Sequence, residues 1–141
     1  MLAIYILGFA CASVLWLLYF SQNSKNLNWS TLWIVFGAGL LSGPAAGLFS
    51  SLLEGMFLDS RAGNDGFQLR AFLLYFFIVG PVEELAKFLA VFLTALSRPD
   101  FRNSADGLVL GIASALGFAC GENVLYMLAF GPDLTLPRLI L

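Results

Sequence analysis

The chain has 141 residues, of which 60% are hydrophobic, 15% aromatic and only 11% charged, with a net charge of -2. An average soluble domain carries roughly 25% charged residues, and seven Lys+Arg with nine Asp+Glu are too few to cover a core of this size with polar surface. The composition therefore excludes a water-soluble globule and, lacking clustered basic residues, a nucleic-acid surface; the solvent it fits is the lipid bilayer.

Apolar runs long enough to cross a bilayer, about 20 residues, occur at 2–20, 32–53, 71–96 and 108–130. They predict an all-α, polytopic transmembrane helix bundle with four full spans. The first run lacks a basic flank and a small-residue cleavage site, so it reads as an anchor rather than a signal peptide. Trp16 and Tyr19 close the first span and Trp29 and Trp33 open the second, as an interfacial aromatic belt requires. They mark one membrane face, side B. Loops 21–31 and 97–107 then lie on side B and loop 54–70 on side A. Lys25, Arg98 and Arg102 on side B balance Arg61, Arg70 and Arg138 on side A, so charge asymmetry assigns no orientation.

The second span carries Gly39, Gly43 and Gly47 at four-residue spacing; the fourth carries Gly107, Gly111 and Ala115, and separately Gly117 and Gly121. Small residues at this spacing let helices approach closely in lipid. Packing within the chain is the first reading, and a homo-oligomer through these Gly-x-x-x-Gly faces is the alternative. Cys11 and Cys120 have no metal-binding spacing and read as small packing residues. Asp106 is expected to N-cap the fourth helix. The side-A loop joins apolar Met56, Phe57, Leu58, Phe67 and Leu69 to a flexible centre at 62–66, the composition of an interfacial connector or of a gate over a cavity. Residues 136–141 read as the start of a fifth, truncated span after Pro137, so residues 1–141 are expected to form a single domain that is the N-terminal part of a longer one.

Four charges fall inside spans. Glu83, Glu84 and Lys87 lie near the middle of the third, and Glu122, followed by Asn123 and Tyr126, lies in the fourth. Each central charge costs roughly 2.5–3.5 kcal/mol on insertion scales, so the group needs compensation. Lys87 is i+4 from Glu83 and i+3 from Glu84 and can reach either carboxylate. Glu83 and Glu122 differ in depth by only about 6 Å at 1.5 Å per residue, so all of these groups are expected to converge on one polar pocket. Three carboxylates against one ammonium call for protons or a cation, such as a divalent metal held by Glu83, Glu84 and Glu122. Gly80 and Pro81, just before the cluster, are expected to kink or open the helix.

The blocks Glu83-Glu84-Leu85-Ala86-Lys87, Asp106-Gly107-Leu108-Val109-Leu110-Gly111 and Gly117-Phe118-Ala119-Cys120-Gly121-Glu122-Asn123-Val124-Leu125-Tyr126 resemble, in order and spacing over residues 80–126, the signatures of the PrsW family of bacterial intramembrane proteases, related to the CAAX-processing and bacteriocin-processing endopeptidases. The resemblance implies hydrolysis of a peptide bond in a membrane-anchored protein, such as an anti-sigma-factor-like regulator, by a multi-pass protein of the bacterial cytoplasmic membrane. It assigns Glu83 or Glu84 to activating water, Glu122 to binding metal or water, Asn123 to orienting or donating to the oxyanion, and Lys87 to tuning the pair. It also implies a divalent metal, with zinc expected. The family adds a histidine from a later helix, and this chain has no histidine: either the domain continues beyond Leu141 or the protein is inactive. Two other readings stay open, a noncatalytic membrane scaffold and a proton- or cation-coupled transporter element.

Overall fold

The structure, a computed structural model, describes residues 2–57, 64–96 and 98–131. Among them there is no strand. The helices are α1 (Leu2–Ser21), α2 (Trp29–Phe57), α3 (Asn64–Leu74), α4 (Gly80–Thr94) and α5 (Ser104–Phe130), with a π-helical turn at Tyr75–Val79 between α3 and α4. By length and composition α2 and α5 are each able to cross a membrane, and Ala12–Ser21 is a shorter apolar stretch. The exterior is apolar, with Leu41, Leu52 and Leu93 exposed by 72%, 67% and 75%. Such a surface fits lipid and not water.

The α3–α4 segment is one continuous helix with a widened turn, because Leu74 and Gly80 both keep right-handed helical torsions. Pro81 has no N–H to give, and its ring would collide with the carbonyl four residues back. The Gly80 N–H meanwhile bonds the Tyr75 carbonyl five residues back, the π spacing. Where a kink or an opening is expected, the helix makes a π turn just ahead of Pro81, at the junction of α3 and α4.

The bundle is built around α2 and α5, its most extensive contact. A Cβ on Gly39 would lie 2.2 Å from the Ser114 carbonyl oxygen, and one on Gly43 2.7 Å from that of Phe118. From the other side, Cβ atoms on Gly117 and Gly121 would lie 2.1 Å from the Phe36 and 2.3 Å from the Leu40 carbonyl oxygens. These two small-residue stripes thus pack on each other, backbone to backbone, with α2 and α5 parallel. Gly111, in the remaining stripe, meets nothing within 4 Å. Leu17, Leu32, Val35, Phe36, Val109, Leu110, Ala113 and Cys120 form the core between α1, α2 and α5; the side chain of Cys11 lies outside the described ones.

Two buried carboxylates stitch the side-B connections. Asp100 accepts from Thr31 Oγ1 at 2.6 Å and from the Asn28 N–H at 3.1 Å. Asp106 accepts from the Ser24 hydroxyl and from the N–H groups of Arg102 and Asn103. The N-cap of α5 is Asn103, not Asp106. Asn103 Oδ1 accepts from the Asp106 N–H, and Asp106 at N3 completes a capping box. The helix begins one turn earlier than its apolar pattern indicates because the polar box, not the first leucine, starts it.

The side-A connection also differs from the expected loop 54–70. Residues 54–57 belong to α2 and 64–70 to α3. Residues 58–63 and 132–141, with Leu58, positions 62 and 63 of the loop centre and the expected start of a fifth span, lie outside the described residues.

Candidate active site

Glu83 stands in the first turn of α4, directly after the π turn, and Glu122 in the second half of α5. Both are half-buried and line the same cavity, of about 300 Å3. The wall from α2 includes Gly47, Ser50, Ser51 and Glu54, spaced i, i+3, i+4 and i+7 on one helix face, with Leu48 beside them. Tyr75 and Val79 come from the π turn, and Leu125 and Tyr126 from α5. A Cβ on Gly43 would lie 2.7 Å from the Phe118 carbonyl oxygen and 3.3 Å from the Glu122 nitrogen, so the absence of a side chain there lets the α5 backbone that carries Glu122 lie close against α2.

The charges do not all converge. Glu84 and Lys87 line a second groove, between α4 and α5, with Phe88, Val91, Phe101, Gly107, Gly111 and Ala115. Lys87 Nζ bonds Glu84 Oε1 at 2.7 Å and lies 4.6 Å from the centre of the Phe118 ring. The Glu84 side chain is 74% exposed and that of Lys87 only 22%. The single expected pocket is thus corrected to two, because successive residues of an α-helix point about 100° apart. Glu83 turns toward α2 and the cavity; Glu84 turns away, and Lys87, one turn on, follows it. Asn123 is half-buried and lines neither cavity, for the same reason relative to Glu122.

Two further groups in the cavity do not stand out in the sequence. The apolar run stops at Leu53, which puts Glu54 in a loop, yet Glu54 lies in α2 and accepts from the Tyr75 hydroxyl at 2.6 Å. The signal that marks it is the small and polar stripe Gly47, Ser50, Ser51, Glu54. The second group is Ser50, 6% exposed, whose Oγ has no hydrogen-bond partner among the described residues.

Among the described residues no three His, Cys, Asp or Glu side chains come close enough to hold a metal ion. The expected trio of Glu83, Glu84 and Glu122 is divided between two grooves. The residues present do not by themselves make a zinc site, which takes about four donors, usually including imidazole or thiolate.

The family described as PrsW family intramembrane metalloprotease matches residues 27–136. The chain belongs to the PrsW family. Among curated PrsW proteases, that of Shouchella clausii is 40% identical over 72 residues, covering 51% of this chain and 32% of the relative. That of Halalkalibacterium halodurans is 30% identical over 119 residues, covering 84% of this chain and 50% of the relative. That of Geobacillus kaustophilus is 35% identical over 60 residues, covering 43% and 27%. The chain thus spans half the length, or less, of these PrsW relatives. No solved structure matches it. The matched region contains all three cavity glutamates, Glu54, Glu83 and Glu122, and the whole of α2 through α5. The family description, a metalloprotease, supports a divalent metal in PrsW proteins.

Proposed function

We propose that this chain is part of an intramembrane endopeptidase that cleaves membrane-anchored proteins, such as an anti-sigma-factor-like regulator, using water activated by Glu83. The observation that carries the reading is the meeting of Glu83 and Glu122, from two different helices, in one cavity of a PrsW-family fold. Glu83 takes a proton from water as the water oxygen attacks the scissile carbonyl carbon. It then returns that proton to the leaving nitrogen as the C–N bond breaks. Glu122 holds the water from the opposite wall. Glu84 and Lys87 form an ion pair behind the site that fixes the orientation of Glu83.

In this reading the chain crosses the membrane four times: residues 2–20, α2, α3 with α4, and α5. The parallel packing of α2 and α5 supports it, since one return crossing must separate two parallel spans. Residues 1–141 would be a single domain, the N-terminal part of a longer protease in the bacterial cytoplasmic membrane. A zinc ion would need ligands beyond Glu83 and Glu122, and no step above depends on it.

The test is cleavage of a membrane-anchored substrate by the full-length protein, with accumulation in the membrane monitored beside it. Glu83→Gln keeps shape but removes the base, and is expected to lower cleavage by roughly 10²–10⁴-fold. Glu84→Gln is expected to lower it less, through Lys87. Equal loss in both would put both carboxylates at the reacting water, unchanged cleavage in Glu83→Gln would overturn its role as the base, and no cleavage by the parent protein would leave a noncatalytic scaffold or a transporter element.

A further inference from the structure

The cavity is longer than a water-activating site needs. On its α2 wall Gly47 and Glu54 are seven residues apart, about 10 Å along the axis. Tyr75 precedes Glu83 by eight residues, about 12 Å. The Glu54–Tyr75 hydrogen bond therefore sits at the end of α2, well away from the depth of Glu83 and Glu122, and Ser50 and Ser51 lie about one turn in from it.

The serines are unlike each other. Ser51 Oγ donates to the Leu48 carbonyl at 2.8 Å, the usual resort of a helical serine in an apolar setting. Ser50 is more buried, yet its hydroxyl makes no such bond and has no partner among the described residues. A buried hydroxyl left unsatisfied costs more than a hydrogen bond gains. Its position on the wall of a cavity that also holds three carboxylates offers the remedy, because water binds where several polar partners converge and each molecule takes about 30 Å3.

We propose that the α2 face formed by Ser50, Ser51 and Glu54, with Tyr75 opposite, lines a water-filled entry path that runs from the end of α2 to Glu83 and Glu122. Glu54, steadied by Tyr75, is the hydrated mouth of that path, and Ser50 is its inner rung. That this water is consumed in hydrolysis rests on the protease reading; that the path is wet does not.

The experiment is cysteine labelling of the full chain in membrane vesicles, in a Cys11→Ser, Cys120→Ala background, with a membrane-impermeant cationic thiosulfonate applied from the side where α2 ends. Ser50→Cys and Ser51→Cys are expected to react at least ~10-fold faster than Leu52→Cys, which points outward, and faster with the cationic reagent than with an anionic one of equal size. Glu54→Gln should narrow the cationic preference by several-fold while leaving the reaction with a neutral reagent unchanged. The path is overturned if Ser50→Cys and Ser51→Cys label no faster than Leu52→Cys while all three label fully after denaturation. Ser51→Cys carries the test alone if Ser50→Cys does not accumulate, because its side chain is not buried. Labelling does not require cleavage: a wet but uncleaving protein upholds the path and counts against the protease, and a cleaving protein with unreactive cysteines overturns the path alone.

Discussion

Glu83 and Glu84 illustrate how one step along a helix separates two roles. Adjacent in sequence, they lie in different grooves, one beside Glu122 and the other bonded to Lys87. The spacing to Lys87 allows either carboxylate to pair, and only a third helix packed against α4 decides which one turns inward. A different residue-level pairing governs the opposite end of the bundle. Asp100 is held below the ordinary carboxylate pKa of 3.8, first by the Thr31 hydroxyl and then by the Asn28 N–H and the Arg98 charge. A carboxyl whose folded pKa is depressed contributes stability above its unfolded value and loses it as pH falls through the folded one. Thr31→Val is therefore expected to destabilise the detergent-solubilised protein at pH 7 by about 1.5–3 kcal/mol, the worth of a hydrogen bond to a charged group. The gap to the parent should shrink as pH drops below about 3.8. Thermal unfolding followed by circular dichroism across pH 7 to 3 checks both, and a gap independent of pH would remove Asp100 as its cause.

At the scale of elements, the glycines sort into those that touch and those that do not. A Cβ on Gly117 or Gly39 would lie 2.1 or 2.2 Å from a carbonyl oxygen, and those neighbours are backbone that cannot swing aside. Gly117→Val should push α5 off α2 and prevent stable accumulation, whereas Gly111→Ala and Gly37→Ala meet nothing within 4 Å and should gain up to about 1 kcal/mol from better helix propensity. Protease resistance and unfolding in detergent separate the two classes; a tolerated Gly117→Val would mean that the helices are not in backbone contact. This division also shows what is legible in the sequence. Four-residue glycine spacing announces close packing, and the apolar runs announce helices, because both signals are local. Which stripe meets which depends on the mutual rotation of two helices, and the sequence carries no local mark of it. The helix ends are hidden for a related reason. An apolar run stops at the first charge, but α2 continues through Glu54 to Phe57, and the partner that takes up the Glu54 charge, Tyr75, comes from another segment. The π turn is likewise visible only as a proline, since the choice between a kink and a widened turn is made by whether the Gly80 N–H can reach back to Tyr75.

For the whole molecule the open chemical question is the metal, because the family description and the donor set pull apart. PrsW proteins are described as metalloproteases, while this chain has no histidine, and among its described residues no group of three potential ligands is assembled. Glu83 and Glu122 share a cavity, but two carboxylates are a weak zinc site: oxygen donors alone favour magnesium or calcium, and zinc prefers nitrogen or sulfur. Water in the cavity competes for the same carboxylates and lowers the gain further. The 141-residue chain, purified in detergent and desalted, is therefore expected to retain zinc well below one equivalent and to bind added zinc weakly, with Glu83→Gln and Glu122→Gln each abolishing what binding there is. The full-length protein is expected to retain near one equivalent. Elemental analysis of both, with a competing chelator to grade affinity, decides the matter. Stoichiometric, chelator-resistant zinc on the 141-residue chain would mean that its carboxylates rearrange into a closed site on binding. Absence of metal from an active full-length enzyme would leave Glu83 to activate water unaided.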